Sequence, residues 1–139
     1  MIQLYNGDCL EILKDIPDGS VDLVLTDPPY GTTACKWDSV IPFEPMWEQL
    51  NRIIKPNGAI CLFGSEPFSS ALRMSNIKNF KYDWIWNNKL AGNGILAKKQ
   101  PLKIHEIVSV FNSSIYIPQM TKGRYRKKNG VKRKRNYGR

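Results

Sequence analysis

The sequence predicts an α/β fold. Short apolar, β-rich runs alternate with stretches whose apolar residues recur at helical spacing, and Pro, Gly and Asn mark the joints between them. Leu10, Leu13 and Lys14 fall in a short helical stretch closed by Pro17-Asp18-Gly19. Val21 to Thr26 reads as a buried strand, stopped by Asp27-Pro28-Pro29. A loop over Gly31 to Ile41 leads into a helix with Pro45 in its first turn and Met46, Leu50, Ile53 and Ile54 as its apolar stripe. Lys55-Pro56-Asn57-Gly58 is expected to end that helix before a strand over Ala59 to Phe63. Ser65 is expected to cap a helix through Phe68, Ala71, Leu72 and Met74. Two further strands are read at Tyr82–Trp86 and Glu106–Phe111, with a loop over Leu90 to Leu102. Strand and helix in alternation argue for a parallel or mostly parallel sheet.

At 139 residues the chain has room for one domain, and 42% hydrophobic residues support a real core. No run approaches the roughly 18 apolar residues of a membrane span, and the start shows no secretory pattern. Three cysteines (Cys9, Cys35 and Cys61) without a CxxC spacing, and a single histidine, His105, argue against a disulfide framework or a metal site. The expected home is a reducing cytoplasm.

The net charge of +9 is unevenly spread. Ten basic residues and no acidic one lie between Lys122 and Arg139, which leaves 11 basic against 12 acidic in the rest. A nearly neutral body over 1–111 thus precedes a polar segment, 112–139, that ends in a basic tail, read as disordered without a ligand. Lys122, Arg124, Arg126, Lys127, Lys128, Lys132, Arg133, Lys134 and Arg135, interleaved with Tyr125 and Tyr137, could follow a phosphate backbone. A solvated run with nonspecific affinity explains the same residues equally well.

Asp27-Pro28-Pro29-Tyr30 carries the chemistry. Four specified residues coincide by chance at roughly 10⁻⁵ per position, and this set stands where a buried strand ends, the edge at which open α/β sheets hold ligands. The prolines fix two φ angles and remove two N–H donors. The Asp27 carboxylate and the Pro28 carbonyl can then converge as acceptors on a planar NH₂ group, and Tyr30 offers a face on which a base could stack. The bland alternative is a strand-ending turn with a half-buried tyrosine.

The tetrapeptide resembles the DPPY motif of the amino-methylating DNA methyltransferases, which modify adenine N6 or cytosine N4. Asn6-Gly7-Asp8-Cys9 with Pro17-Asp18-Gly19-Ser20-Val21-Asp22 is similar to the segment preceding that motif in the family's β-type order. Arg52 to Gly58, Tyr82 to Lys89 and Pro101 to Glu106 resemble later blocks. The resemblance implies a Rossmann-like S-adenosylmethionine-dependent fold, no metal, double-stranded DNA as partner, and the cytoplasm of a bacterium or phage-infected host. It implies catalysis by Asp27, Pro28, Pro29 and Tyr30 and a cofactor contact from Asp8 and Asp27. Asp8 serves as a turn carboxylate on the alternative reading. Nitrogen would attack the sulfonium methyl directly, on a flipped base, and Asp at position 27 tilts the reading to adenine N6.

One family element is missing. The β-type order places a Phe-x-Gly-x-Gly cofactor loop after target recognition, and Phe63-Gly64-Ser65-Glu66 lacks the second glycine. The resemblance is therefore to an incomplete fold, the N-terminal catalytic portion, truncated or completed by a second chain. A DNA-binding remnant without catalysis, or a methyltransferase acting on RNA or protein amines, are the competing functions. Of Trp84 and Trp86, which alternate along a strand, at least one is expected in the core.

Overall fold

The computed structural model describes residues 1–92, 94–113, 116–120 and 122–123. Four strands form one sheet: β1 (Val21–Thr26), β2 (Ile54–Gly64), β3 (Phe80–Asn87) and β4 (His105–Phe111), in the order β1-β2-β4-β3. Helices α1 (Cys9–Ile12), α2 (Phe43–Ile53) and α3 (Phe68–Ser75) complete the fold. β1 and β2 pair in parallel, whereas β4 runs antiparallel to both β2 and β3. The sheet is mixed, which corrects the expectation of a mostly parallel one. Three strands do share one direction, but β4 returns from β3 without a crossover helix and inserts between β3 and β2. The alternation of strand and helix stops after α3, and a return strand needs none.

Helix α2 forms where expected, and Met46, Leu50 and Ile53 are buried along its stripe together with Trp47. Ile54 is buried too, but as the first residue of β2. The Lys55–Gly58 segment lies inside β2 rather than outside it, as an irregular start opposite a register shift between Val21 and Leu23. Gly58 is required there. A Cβ at that position would stand 2.9 Å from the Asp22 carbonyl and 2.8 Å from Ile54 Cγ1. Ser65 does not cap α3; the Glu66 carboxylate takes that place by accepting from Ser70 N at 3.1 Å.

Alternation along the strands gives the sheet two unlike faces. Ile60 and Leu62 of β2 and Phe111 of β4 point at Met46, Trp47, Leu50, Phe68 and Leu72 of the helices and are fully buried. The opposite face carries Leu23 and Leu25 of β1, Cys61 and Phe63 of β2, and Tyr82, Trp84 and Trp86 of β3. No described helix packs on it. The reading of β1 as a buried strand is therefore corrected. Leu23 and Leu25 are 53% and 60% exposed, because β1 is an edge strand with one uncovered face. Neither Trp84 nor Trp86 enters the core. Trp84 meets Tyr82 edge-on and lies tilted against Tyr116, and Trp86 meets Phe63 edge-on at 6.2 Å. Their reach across an edge strand explains it, since the helical face opposite already holds Phe80 and Phe111.

Arg52 fastens the N-terminal segment to this body. Its guanidinium donates to Ile16 O at 2.8 Å and Leu13 O at 2.7 Å and pairs with Asp18. No helix among the described residues is long and apolar enough to cross a membrane.

The two faces should respond differently to truncation. Leu62→Ala leaves a cavity against α2 and α3 and should cost about 3 kcal/mol. Leu25→Ala on the open face should cost at most about 0.5 kcal/mol. Urea unfolding of both variants measures the difference.

Candidate active site

The chain leaves β1 at Thr26, whose Cα partner is Leu62, and Asp27 begins the loop at the carboxyl end of the parallel pair. Pro28 is buried, Pro29 and Tyr30 are half-buried, and Asp27 is exposed. The Tyr30 ring packs on Phe68 at 5.1 Å with a 32° tilt, so one side of it is already occupied. Its hydroxyl donates to Asp27 Oδ1. Burial, then the hydrogen bond and charge of Asp27 and the charge of Glu106, push the Tyr30 phenol well above its usual range. Tyr30 therefore stays protonated and acts as a donor. Among the described residues no donor reaches the second Asp27 oxygen or the Pro28 carbonyl.

The loop that follows is shaped by Asp38. Its carboxylate is 8% exposed and accepts from the backbone N–H groups of Gly31 (2.9 Å), Thr32 (2.9 Å) and Thr33 (2.6 Å). Gly31 sits at φ 69°, and a Cβ there would stand 2.9 Å from Val40 Cγ2. The Thr33 side chain and the three backbone donors hold the Asp38 carboxyl down at about 2, against the opposing effect of burial.

Three hollows meet at this corner. One, of about 290 Å³, opens between Asp27, Pro28, Tyr30, Thr33, Trp37 and Asp38. A second, of about 350 Å³, shares Tyr30 and Thr32 with it and continues along Ser65, Asn88, Lys103 and Glu106. The third, about 290 Å³ and mainly apolar, lies on the other side of Asp27 and Pro28, walled by Cys9, Val24, Ile41 and Met46. Asp8 stands beside it as the cap of α1, with Oδ1 accepting from Leu10 N at 2.8 Å. Among the described residues no cluster of His, Cys, Asp and Glu could hold a metal ion.

With this geometry in view, the comparisons are informative. No family model matches the chain. It is 46% identical over 65 residues to the type II methyltransferase M.BglII of Bacillus subtilis, which takes in 42% of this chain and 18% of that one. The chain is homologous to the type II DNA methyltransferases. Its fold matches the PvuII DNA methyltransferase (cytosine-N4-specific), with a TM-score of 0.61, 20% identity, and coverage of 77% of this chain and 47% of that one. It also matches M1.HpyAVI in complex with SAM, with a TM-score of 0.64, 20% identity, and coverage of 90% and 62%. The chain spans no more than 30% of the first few curated relatives it matches.

In this methyltransferase homologue the structure gathers Asp27, Pro28, Pro29 and Tyr30 around one opening and sets Asp8 apart at the start of α1. Lys122 is the one predicted nucleic-acid residue within the described part; Arg124, Arg126, Lys127, Lys128, Lys132, Arg133, Lys134 and Arg135 lie outside it. Trp37 and Asp38 fall in a stretch that reads as loop, and Lys103 and Glu106 in a family-like block and a strand, so the sequence marks none of the four as a site residue. A tryptophan in a polar loop, 74% exposed, was the one visible signal. Asp38 lies five to seven residues from its donors and matches no short turn pattern.

The depressed Asp38 carboxyl has a defined consequence for pH. Its hold on the loop is complete above its ordinary value of 3.8 and is lost as pH falls through about 2. The amide signals of Gly31, Thr32 and Thr33 should titrate together with a midpoint near that lower value in an NMR titration. Asp38→Asn should speed amide exchange at these three positions while the exchange of β2 stays unchanged.

Proposed function

We propose that this chain forms part of an S-adenosylmethionine-dependent DNA methyltransferase that modifies the exocyclic amine of a flipped base in double-stranded DNA, adenine N6 in preference to cytosine N4. The observation that carries the reading is the pair of free acceptors, the second Asp27 oxygen and the Pro28 carbonyl, at the carboxyl end of β1 beside an open hollow. An amine presented there can give one N–H to each acceptor. That draws the lone pair out of the aromatic ring and onto nitrogen. Asp27 then stabilises positive charge on nitrogen as the new bond forms, and it is placed to receive the departing proton. Tyr30, kept neutral, fixes the first Asp27 oxygen and keeps the carboxylate aimed. Pro28 and Pro29 hold the backbone without adding donors that would compete.

When bound, S-adenosylmethionine supplies the electrophilic methyl. The residues present fit one side of it. The apolar hollow between Asp27 and Cys9 is near the lower end of small-molecule sites in size, and Asp8 directly precedes Cys9 in its wall. β1 offers no further wall, because its outer edge is unpaired. The edge and the apolar face of the sheet support a second segment or chain that completes the cofactor site, the part a glycine-rich loop would supply. The basic segment from Lys122 through Arg124, Arg126, Lys127, Lys128, Lys132, Arg133, Lys134 and Arg135 is assigned to phosphate contacts.

Asp27→Ala, assayed in the assembly that methylates DNA, should lower the single-turnover rate by about 10²-fold, the scale of one preorganised electrostatic contact. DNA affinity should hardly change, since phosphate contacts dominate it. An unaltered rate in a folded variant would reduce the tetrapeptide to a turn. Duplex binding should fall steeply as salt is raised, and deleting residues 122–139 should flatten that slope. Fluorescence anisotropy at several salt concentrations reads both.

A further inference from the structure

The second hollow contains a feature that the reaction just described does not use. Lys103 is the one lysine lining any of the three hollows described, and it is half-buried. Its Nζ donates to Ser65 Oγ at 2.5 Å, and among the described residues it forms no ion pair. An ammonium group has three donors, so two remain. The one carboxylate lining that hollow, Glu106, forms no ion pair with Lys103 among the described residues, so the two remaining donors are open to an anion from outside.

The position narrows which anion. Ser65 follows directly on β2, and Lys103 stands two residues before β4, so the anchor joins the middle of the sheet to the end of the Leu90–Leu102 loop. The hollow reaches Tyr30 from the β2–β4 side, whereas Asp8 and Cys9 lie on the β1 side, around the third hollow. If the cofactor occupies the β1 side, the β2–β4 side remains for the substrate nucleotide. The same hollow also carries Glu106, whose Oε1 accepts from Asn88 Nδ2 at 3.1 Å. The lining therefore offers both an acceptor and a cation. A nucleotide satisfies both, with a donor-bearing base at one end and an anionic phosphate at the other.

We propose that Lys103, positioned by Ser65, binds the phosphate of the nucleotide whose amine is presented to Asp27. The assignment rests on the methyltransferase reading and deepens it. Lys103 thereby fixes the depth to which the nucleotide enters, and Asn88 and Glu106 face its base.

The test titrates the 139-residue chain with three probes by NMR: 2′-deoxyadenosine 5′-monophosphate, 2′-deoxyadenosine and S-adenosylmethionine. The monophosphate should bind about 10-fold more tightly than the nucleoside, the scale of one charge-assisted hydrogen bond. Lys103→Gln should shrink that ratio to about 2 or less and leave nucleoside affinity unchanged, and Lys103→Arg should restore most of it. Asp27→Ala should weaken both nucleoside and monophosphate and preserve their ratio. Thermal unfolding of Lys103→Gln confirms that the variant is folded. An equal ratio in wild type and Lys103→Gln overturns the proposal, and so does a loss confined to S-adenosylmethionine, which would hand the lysine to the cofactor's carboxylate. If Asp27→Ala still weakens the nucleoside while the ratio ignores Lys103, only the lysine's role falls. If none of the three probes binds, the site itself falls with it.

Discussion

Among the described residues, helices cover only one face of this sheet, and most of the structure's features descend from that constraint. β2 shows it most directly. Ile60 and Leu62 press on α2 and α3 and have no exposure, while Cys61 and Phe63 turn the other way and remain partly open. The same alternation leaves Leu23 and Leu25 of β1 facing outward and lines Tyr82, Trp84 and Trp86 along β3. A sheet packed in this way is fixed firmly in position by one layer, which is enough to hold the carboxyl end of β1 against Leu62 and α2. It is at that end that the polar residues gather.

The site corner is organised by carboxylates that do different work. Asp38 is taken up by the backbone donors of Gly31, Thr32 and Thr33 and by the Thr33 side chain, and holds the Gly31–Thr33 segment as a rim. Asp27 is only half engaged, by Tyr30, and keeps one oxygen for an incoming donor. Asp8 ends a helix. Glu106 faces the neighbouring hollow and adds to the field that keeps Tyr30 protonated. A rim tied by several hydrogen bonds and an acceptor that is still available suit preorganised electrostatics, in which donors and acceptors are already placed when charge develops.

Local signals in the sequence were reliable where the physics is local. The Val21–Thr26 strand, the proline pair that stops it and the Met46, Leu50 and Ile53 stripe depend on backbone restriction and on spacing within one element, and these elements form where read, although β1 is not buried and Ile54 opens β2. What escaped depends on contacts between distant residues. Burial of β1 required knowing whether a second layer exists. The antiparallel insertion of β4 required knowing which strands it would separate, and the tryptophans of β3 follow their neighbours rather than their own hydrophobicity. Ser65 has the composition of a helix cap but faces Lys103, 38 residues on. Of the site, the Asp27–Tyr30 segment was legible as a motif, and its surroundings were not. Asp38 and Lys103 act through groups that no spacing rule connects.

The unpaired outer edge of β1 also sets a colloidal problem. An exposed ladder of N–H and C=O groups beside Leu23 and Leu25 is a template for another copy's strand. The body is nearly neutral, so the repulsion that opposes such contact comes from the basic tail, the source of the net charge of +9. Salt weakens that repulsion, with a screening length of about 10 Å at 0.1 M, and leaves the apolar attraction intact. Ionic strength thus pulls in two directions: the salt that strips polyanions from a basic chain also removes the barrier to clumping. A strand-capping segment along β1 would remove the conflict at its source by pairing the open ladder.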